Sequence, residues 1–176
     1  MSGARPCDAP CSPAPFVSSS SRLDCLRVLD TVIGHAAGDG RGTAVFLLDG
    51  EDAPANGARA RSLPLDDAVV AEAACRIRAA APAWHRLLRG ERGEFIVIVQ
   101  GLVDGGTVLG TAARLVHAFD DALHRAQLPA PVEVSVGIAL APQQGANAQA
   151  LLSAAEAGLR DAMAAARRGQ RRNRLA

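Results

Sequence analysis

The sequence predicts an α/β domain, an α+β sandwich whose central mixed or antiparallel sheet is flanked by helices, and three observations carry that expectation. The first is an apparent hairpin over residues 86–99 (RLLRGERGEFIVIV), where two apolar runs flank a short polar turn containing Gly90 and Gly93. Its second run is β-branched almost throughout, the composition of a buried central strand. The second is the stretch 132–140 (VEVSVGIAL), which alternates with the period of two expected of a half-buried strand. The third is the order of segments: helix, strand, helix, hairpin, helix, strand, helix, which suits one layered domain.

Each element follows from local signals. Residues 1–20 are rich in Ala, Pro and Ser and offer little apolar surface to offset ordering entropy, so they are expected to form a disordered leader. The folded domain is expected to occupy residues 21–176. Ser20 or Ser21 is placed to cap a helix carrying Leu23, Leu26, Leu29, Val32 and Ile33 at helical spacing, and Gly38, Gly40 and Gly42 break it. Thr43 to Leu48 (TAVFLL) reads as a buried strand with Asp49 at its C-terminal end, and residues 49–57 read as loop. Pro64 opens a second helix with Asp66 and Asp67 in its first turn, where the helix dipole favours carboxylates. Val69, Val70, Ala73, Ala74 and Ile77 carry that helix towards Ala81. After the hairpin, Gly105 and Gly106 precede a helix bearing Leu109, Ala112, Leu115, Val116, Phe119 and Leu123. Pro142 to Gly145 turns the chain, and a last helix is expected from Ala148 to Arg167.

Composition excludes several classes of function. The formal net charge is +1, so the protein has no overall electrostatic bias toward nucleic acid or membrane. All 19 basic residues are arginine, which removes any mechanism that needs a lysine amine. Tyrosine is absent and aromatic residues make up only 3%, which argues against stacking platforms for single strands. Cys7, Cys11, Cys25 and Cys75 complete no metal-ligand set and read as scattered thiols. No apolar run resembles a signal peptide or a membrane span, so a cytoplasmic location is expected.

Several constellations invite chemistry. Asp49 with a hairpin carboxylate would suit two-metal nucleotidyl transfer; as a plain aspartate leading into a loop it needs no ligand. His117, Asp121 and His124 share one helical face, away from the Leu115, Phe119 and Leu123 stripe, and read as solvated. The run 167–174 (RRGQRRNR) offers five arginines to phosphates, or simply complements the helix dipole in a soluble tail. Gly34-His35-Ala36-Ala37-Gly38-Asp39 looks like a ligand loop or a helix stopped by glycines. Trp84 and His85 are expected to fill core and to mark a strand edge.

Taken together, these segments resemble the GGDEF family of diguanylate cyclases over roughly residues 22–176. Ser135, Gly137, Ile138, Ala139 and Pro142 are similar to its S-x-G-I-A-x-x-P strand and turn. Ala148, Leu151, Leu152, Ala155, Glu156 and Leu159 follow at the spacing of its last helix, and Arg172-Asn173-Arg174 resembles its closing R-N-R. Residues 44–49 (AVFLLD) resemble the strand that ends in its D-x-D, and Arg76-Ile77-Arg78 the R-L-R of the helix before its hairpin. The resemblance implies a five-stranded central sheet of the nucleotidyl-cyclase type.

The departures are as informative. Residues 91–95 (ERGEF) fall on the signature G-G-D/E-E-F, and only Glu94 and Phe95 agree. Glu91 and Arg92 stand where the family's bare backbone meets a triphosphate, and Gly93 stands where it has a metal carboxylate. Asp49 keeps one metal ligand, which alone holds Mg²⁺ poorly. The phosphate lysine is missing, and Asn56 is out of register with the guanine-reading asparagine. The inhibitory product-site R-x-x-D falls on residues 82–85, with Pro82 and His85 replacing its charged groups. Asp49, Asp67, Arg92, Glu94 and Arg174 remain as nucleotide-binding remnants. The resemblance therefore implies a catalytically inactive, regulatory domain in cyclic-di-GMP signalling that needs no metal and no cofactor. Its expected partner is a cyclase, a phosphodiesterase or a PilZ-type receptor, with a homodimer also open. The alternative is a receptor for GTP or cyclic-di-GMP in a remodelled pocket.

Overall fold

The computed structural model describes residues 21–52, 65–101, 104–128 and 131–173. The elements are α1 (Arg22–Gly38), β1 (Thr43–Asp52), α2 (Asp67–Ala80), β2 (His85–Arg89), β3 (Phe95–Gln100), α3 (Gly105–Arg125), β4 (Val132–Ala141) and α4 (Ala148–Asn173). The leader, Pro64 and Arg174 lie outside the described residues.

Among the described residues the sheet has four strands rather than the five expected, in the order β2-β3-β1-β4, and every pairing is antiparallel. Alternation along β1 sends its side chains to two layers. Ala44, Phe46 and Leu48 join Phe95, Val97 and Val99 beneath α2 and α3. Val45 and Leu47 join Ile96, Ile98 and Ala139 beneath α1 and α4. In the first layer Phe95 and Phe119 meet edge to face at 5.2 Å.

The helix starts obey local capping chemistry. Ser21 caps α1, accepting from the Asp24 backbone N–H at 3.1 Å, while the Asp24 carboxylate returns to the Ser21 N–H. Asp66 is the cap of α2, accepting from the Val69 N–H, so it precedes the first turn instead of lying in it. Asp104 does the same for α3.

Four expectations need correcting. β1 does not end at Leu48, because β4 is ten residues long and holds Asp49 to Asp52 in register with Ser135 to Val132. α4 runs past Arg167 to Asn173, and Arg167 reaches across to both carboxylate oxygens of Glu51 at 2.6 and 2.7 Å. Trp84 fills no core; it is 75% exposed, since it precedes the outermost strand. Cys25 is a buried free thiol, but Cys75 is disulfide-bonded.

Gly137 explains why a glycine stands in the middle of β4. A Cβ there would overlap the Ala155 carbonyl oxygen and lie 2.5 Å from the Leu159 backbone nitrogen. The helix α4 packs directly on this strand, with Gly158 facing it. Gly137→Ala must therefore push α4 off the sheet and is expected to cost about 3 kcal/mol, the upper end of overpacking penalties. A drop in the urea midpoint measures it, and an unchanged midpoint refutes this account of the packing.

Candidate functional site

The hairpin turn is built from its own backbone first. The Gly90 N–H donates to the Glu94 carbonyl at 2.8 Å, and the Gly93 N–H donates to the Gly90 carbonyl at 3.1 Å. Gly93 has φ +90°, a left-handed conformation that suits glycine. Glu94 then folds back over this turn. Its carboxylate accepts from the Arg92 backbone N–H at 2.9 Å, lies 3.8 Å from the Arg92 guanidinium, and is buried. A Cβ on Gly90 would lie 2.5 Å from the Glu94 carboxyl carbon, so Gly90 is bare to admit a side chain of this same turn.

Glu91 points the other way, into α1. Its carboxylate accepts from the Arg22 backbone N–H at 3.0 Å, satisfying one of the donors that a helix start leaves unpaired. The Arg22 side chain in turn pairs with Glu156 of α4, and that carboxylate raises the guanidinium pKa further. The turn, α1 and α4 thus enclose a cavity of about 270 Å³ lined by Arg22, Cys25, Glu91, Arg92, Glu94 and Glu156. Burial, and after it the Glu94 carboxylate, pushes the Cys25 thiol pKa up. Three carboxylates and two guanidiniums line these walls.

The other remnant residues are dispersed. Asp49 sits opposite Ser135 and accepts from the Gly50 N–H at 2.9 Å. It lies one step beyond the Leu48–Phe95 pair, so strand alternation sets it on the same sheet face as Glu94. Asp67 begins α2, whose buried side packs in the other layer. Pro82 and His85 engage each other, the ring Nδ1 lying 2.7 Å from the Pro82 carbonyl, so Nδ1 carries the proton. Asp39 is the C-cap of α1, so Gly34 to Asp39 is a helix end and no ligand loop. His117 and His124 are exposed, while Asp121 holds Arg76 of α2 and Arg125 of α3.

Sequence reasoning missed the clamp made by Glu91. It joins residues 69 apart, the Arg22–Glu156 pair spans 134, and no local pattern reports contacts at such distance. Among the described residues no group of three or more His, Cys, Asp or Glu stands ready to hold a metal ion. The donors that a Mg²⁺ would require do not fit. Asp49 binds its neighbour's amide, Gly93 has no side chain, and Glu94 closes on its own turn.

A profile of the diguanylate cyclase GGDEF domain matches residues 65–170. The chain belongs to the GGDEF family. Solved structures agree on the fold. A sensory box/GGDEF family protein from Caulobacter crescentus is 24% identical with a TM-score of 0.63, over 86% of this chain and 97% of that one. The GGDEF domain of DgcB from the same organism, solved with c-di-GMP, is 19% identical with a TM-score of 0.61, over 89% and 90%. The diguanylate cyclase SiaD of Pseudomonas aeruginosa, solved with its activator SiaC, is 17% identical with a TM-score of 0.61, over 88% and 59%. No curated protein sequence matches the chain. Among the described residues of this GGDEF domain no helix is long and apolar enough to cross a membrane.

Two outcomes test this picture. Glu91→Ala removes the clamp on α1 and is expected to cost about 1 kcal/mol, as loss of a helix-start acceptor does. Faster amide exchange in the first turn of α1 measures it, and unchanged exchange contradicts the clamp. The raised Cys25 thiol has a definite pH signature. Its folded pKa exceeds its unfolded value of about 8.5, so its contribution is full below that pH and is lost as pH rises through the folded pKa. Urea midpoints at pH 7.5 and above pH 9 should diverge more in the native chain than in Cys25→Ala, and equal divergence would rule the effect out.

Proposed function

We propose that this GGDEF domain is catalytically inactive and works as a regulatory, protein-interacting module in cyclic-di-GMP signalling. The observation that carries the reading is the use of the signature turn. Glu94 is buried on Gly90 and Arg92, Glu91 is bound to the start of α1, and Gly93 offers no oxygen. Diguanylate cyclase chemistry needs two metal-bound carboxylates and open backbone beside the phosphates. Opening this turn would expose a buried glutamate and uncap a helix.

A family member without catalysis acts through what it touches. The module is proposed to contact another component of the signalling system in the cytoplasm: a cyclase, a phosphodiesterase or a PilZ-type receptor. SiaD, which shares this fold, is solved in complex with its activator SiaC, and that supports a protein partner by analogy. A receptor for GTP or cyclic-di-GMP is the weaker alternative, since the cavity at the turn carries more carboxylates than guanidiniums.

The decisive assay incubates the purified chain with GTP and either Mg²⁺ or Mn²⁺ and follows cyclic-di-GMP by mass spectrometry. No product above the protein-free blank is expected, and any turnover overturns the reading. Calorimetry with GTP and with cyclic-di-GMP is expected to give no saturable heat; micromolar binding of either would favour the receptor.

A further inference from the structure

The outer edge of the sheet has features that the signature turn does not explain. Two backbone bonds bracket the β2–β3 ladder: Gly90 N–H to the Glu94 carbonyl, and Gln100 N–H to the Trp84 carbonyl at 3.3 Å. In an antiparallel pair the residues alternate between facing the partner strand and facing away. With Trp84 and Gly90 facing β3, the residues between them that face away are His85, Leu87 and Arg89. Their N–H and C=O groups line the free edge, for among the described residues β2 pairs with β3 alone.

The side chains beside that edge are unusual. Arg86 and Leu88 lie across from Ile98 and Ile96, on the α1 side of the sheet. Trp84 precedes them on the same side, across from Gln100, whose side chain donates to the Val32 carbonyl of α1. Between α1 and β2 runs a groove of about 360 Å³ lined by Val28, Thr31, His35, Trp84, Arg86 and Gln100. Among the described residues no carboxylate forms an ion pair with Arg86 or Arg89. Charged residues on an edge strand also serve to block aggregation. That role gives no reason to leave an indole 75% exposed beside them.

We infer that β2 is a docking edge for an extended acidic segment of another protein, which adds to the sheet as a strand beyond β2. Its backbone would bond His85, Leu87 and Arg89, and its alternate side chains would lie over the groove. Strand side chains on one face repeat about every 6.6 Å, so a carboxylate above Arg86 sets an apolar neighbour above Trp84. A second copy of this chain suits the edge less, because its own β2 (His85–Arg89) brings two more arginines and no carboxylate. The inference rests on the interaction-module reading and names the chemistry of the partner.

Trp84 is the sole tryptophan of the chain, so its fluorescence reports on this edge directly. The probe is a capped decapeptide in which every second residue is glutamate and valine in turn, with threonine between them, so that one face alternates charge with apolar surface; it is titrated into the full chain. A saturable blue shift is expected, with slowed amide exchange at Leu87 and Arg89. Arg86→Glu, at an exposed position, should weaken binding about tenfold or more, and the valine–lysine counterpart should give no shift. No shift up to about 1 mM peptide, the weakest affinity of interest, overturns the inference. So does equal binding of the lysine peptide, or self-association through β2 that Arg86→Glu leaves unchanged. The two readings fail separately: turnover of GTP would refute inactivity and leave peptide binding standing, while absent peptide binding without turnover refutes only the docking edge.

Discussion

Everything in this domain is referred to β1. The strand is hydrogen-bonded on both sides, to β3 and to β4, and its residues from Thr43 to Leu48 are buried. A strand paired on two sides has no freedom of register, because a slip of one residue would exchange its two faces. Val45 and Leu47 therefore commit α1 and α4 to one face, while Phe46 and Leu48 commit α2 and α3 to the other. The same phase decides that Asp49 and Glu94 share the α1 side, and that the cavity at the turn closes against α1 and α4.

Long-range charge pairs then lock the ends of this frame. Glu91 holds the start of α1, Glu156 holds Arg22, Arg167 ties the far part of α4 to Glu51, and Asp121 joins α3 to Arg76 of α2. Exposed pairs of this kind contribute little individually. Their effect here is on position more than on total stability: each fixes a helix against an element far away in the chain. The side chains recruited for it include one from the signature turn, Glu91.

The parts of this structure that were legible in the sequence are those with local causes. The Ser21 cap, the Leu29 and Val32 face of α1, the hairpin and the alternation of β4 all follow from residues within a few positions of one another. Gly50-Glu51-Asp52 was illegible as strand, because nothing in its own composition favours a ladder; the length of β4 holds it there. Glu91 could be recognised as misplaced for a phosphate site, yet its actual bond to the Arg22 amide depends on tertiary contact. Trp84 shows the converse error. Its composition pointed inward, while its place before the outermost strand leaves it in solvent.

A turn that serves catalysis and a turn that serves stability make opposite demands. Catalysis needs backbone donors and carboxylates left without internal partners, so that substrate and metal can take them; such a site is held at a cost to the fold. Here Gly90 is occupied by the Glu94 side chain, the Arg92 amide is bound to that same carboxylate, and Glu91 completes a helix start. Each of these groups would have to be withdrawn from a bond before it met a ligand, and withdrawal of Glu94 would enlarge the cavity it lines with Cys25 and Ile96. The frame around β1 does not require this arrangement, since the β1–β3 ladder runs only from Thr43 to Leu48 and stops short of the turn. The ladder is thus set independently of the turn, and the bonds made by Glu91 and Glu94 attach that turn to α1 and to itself.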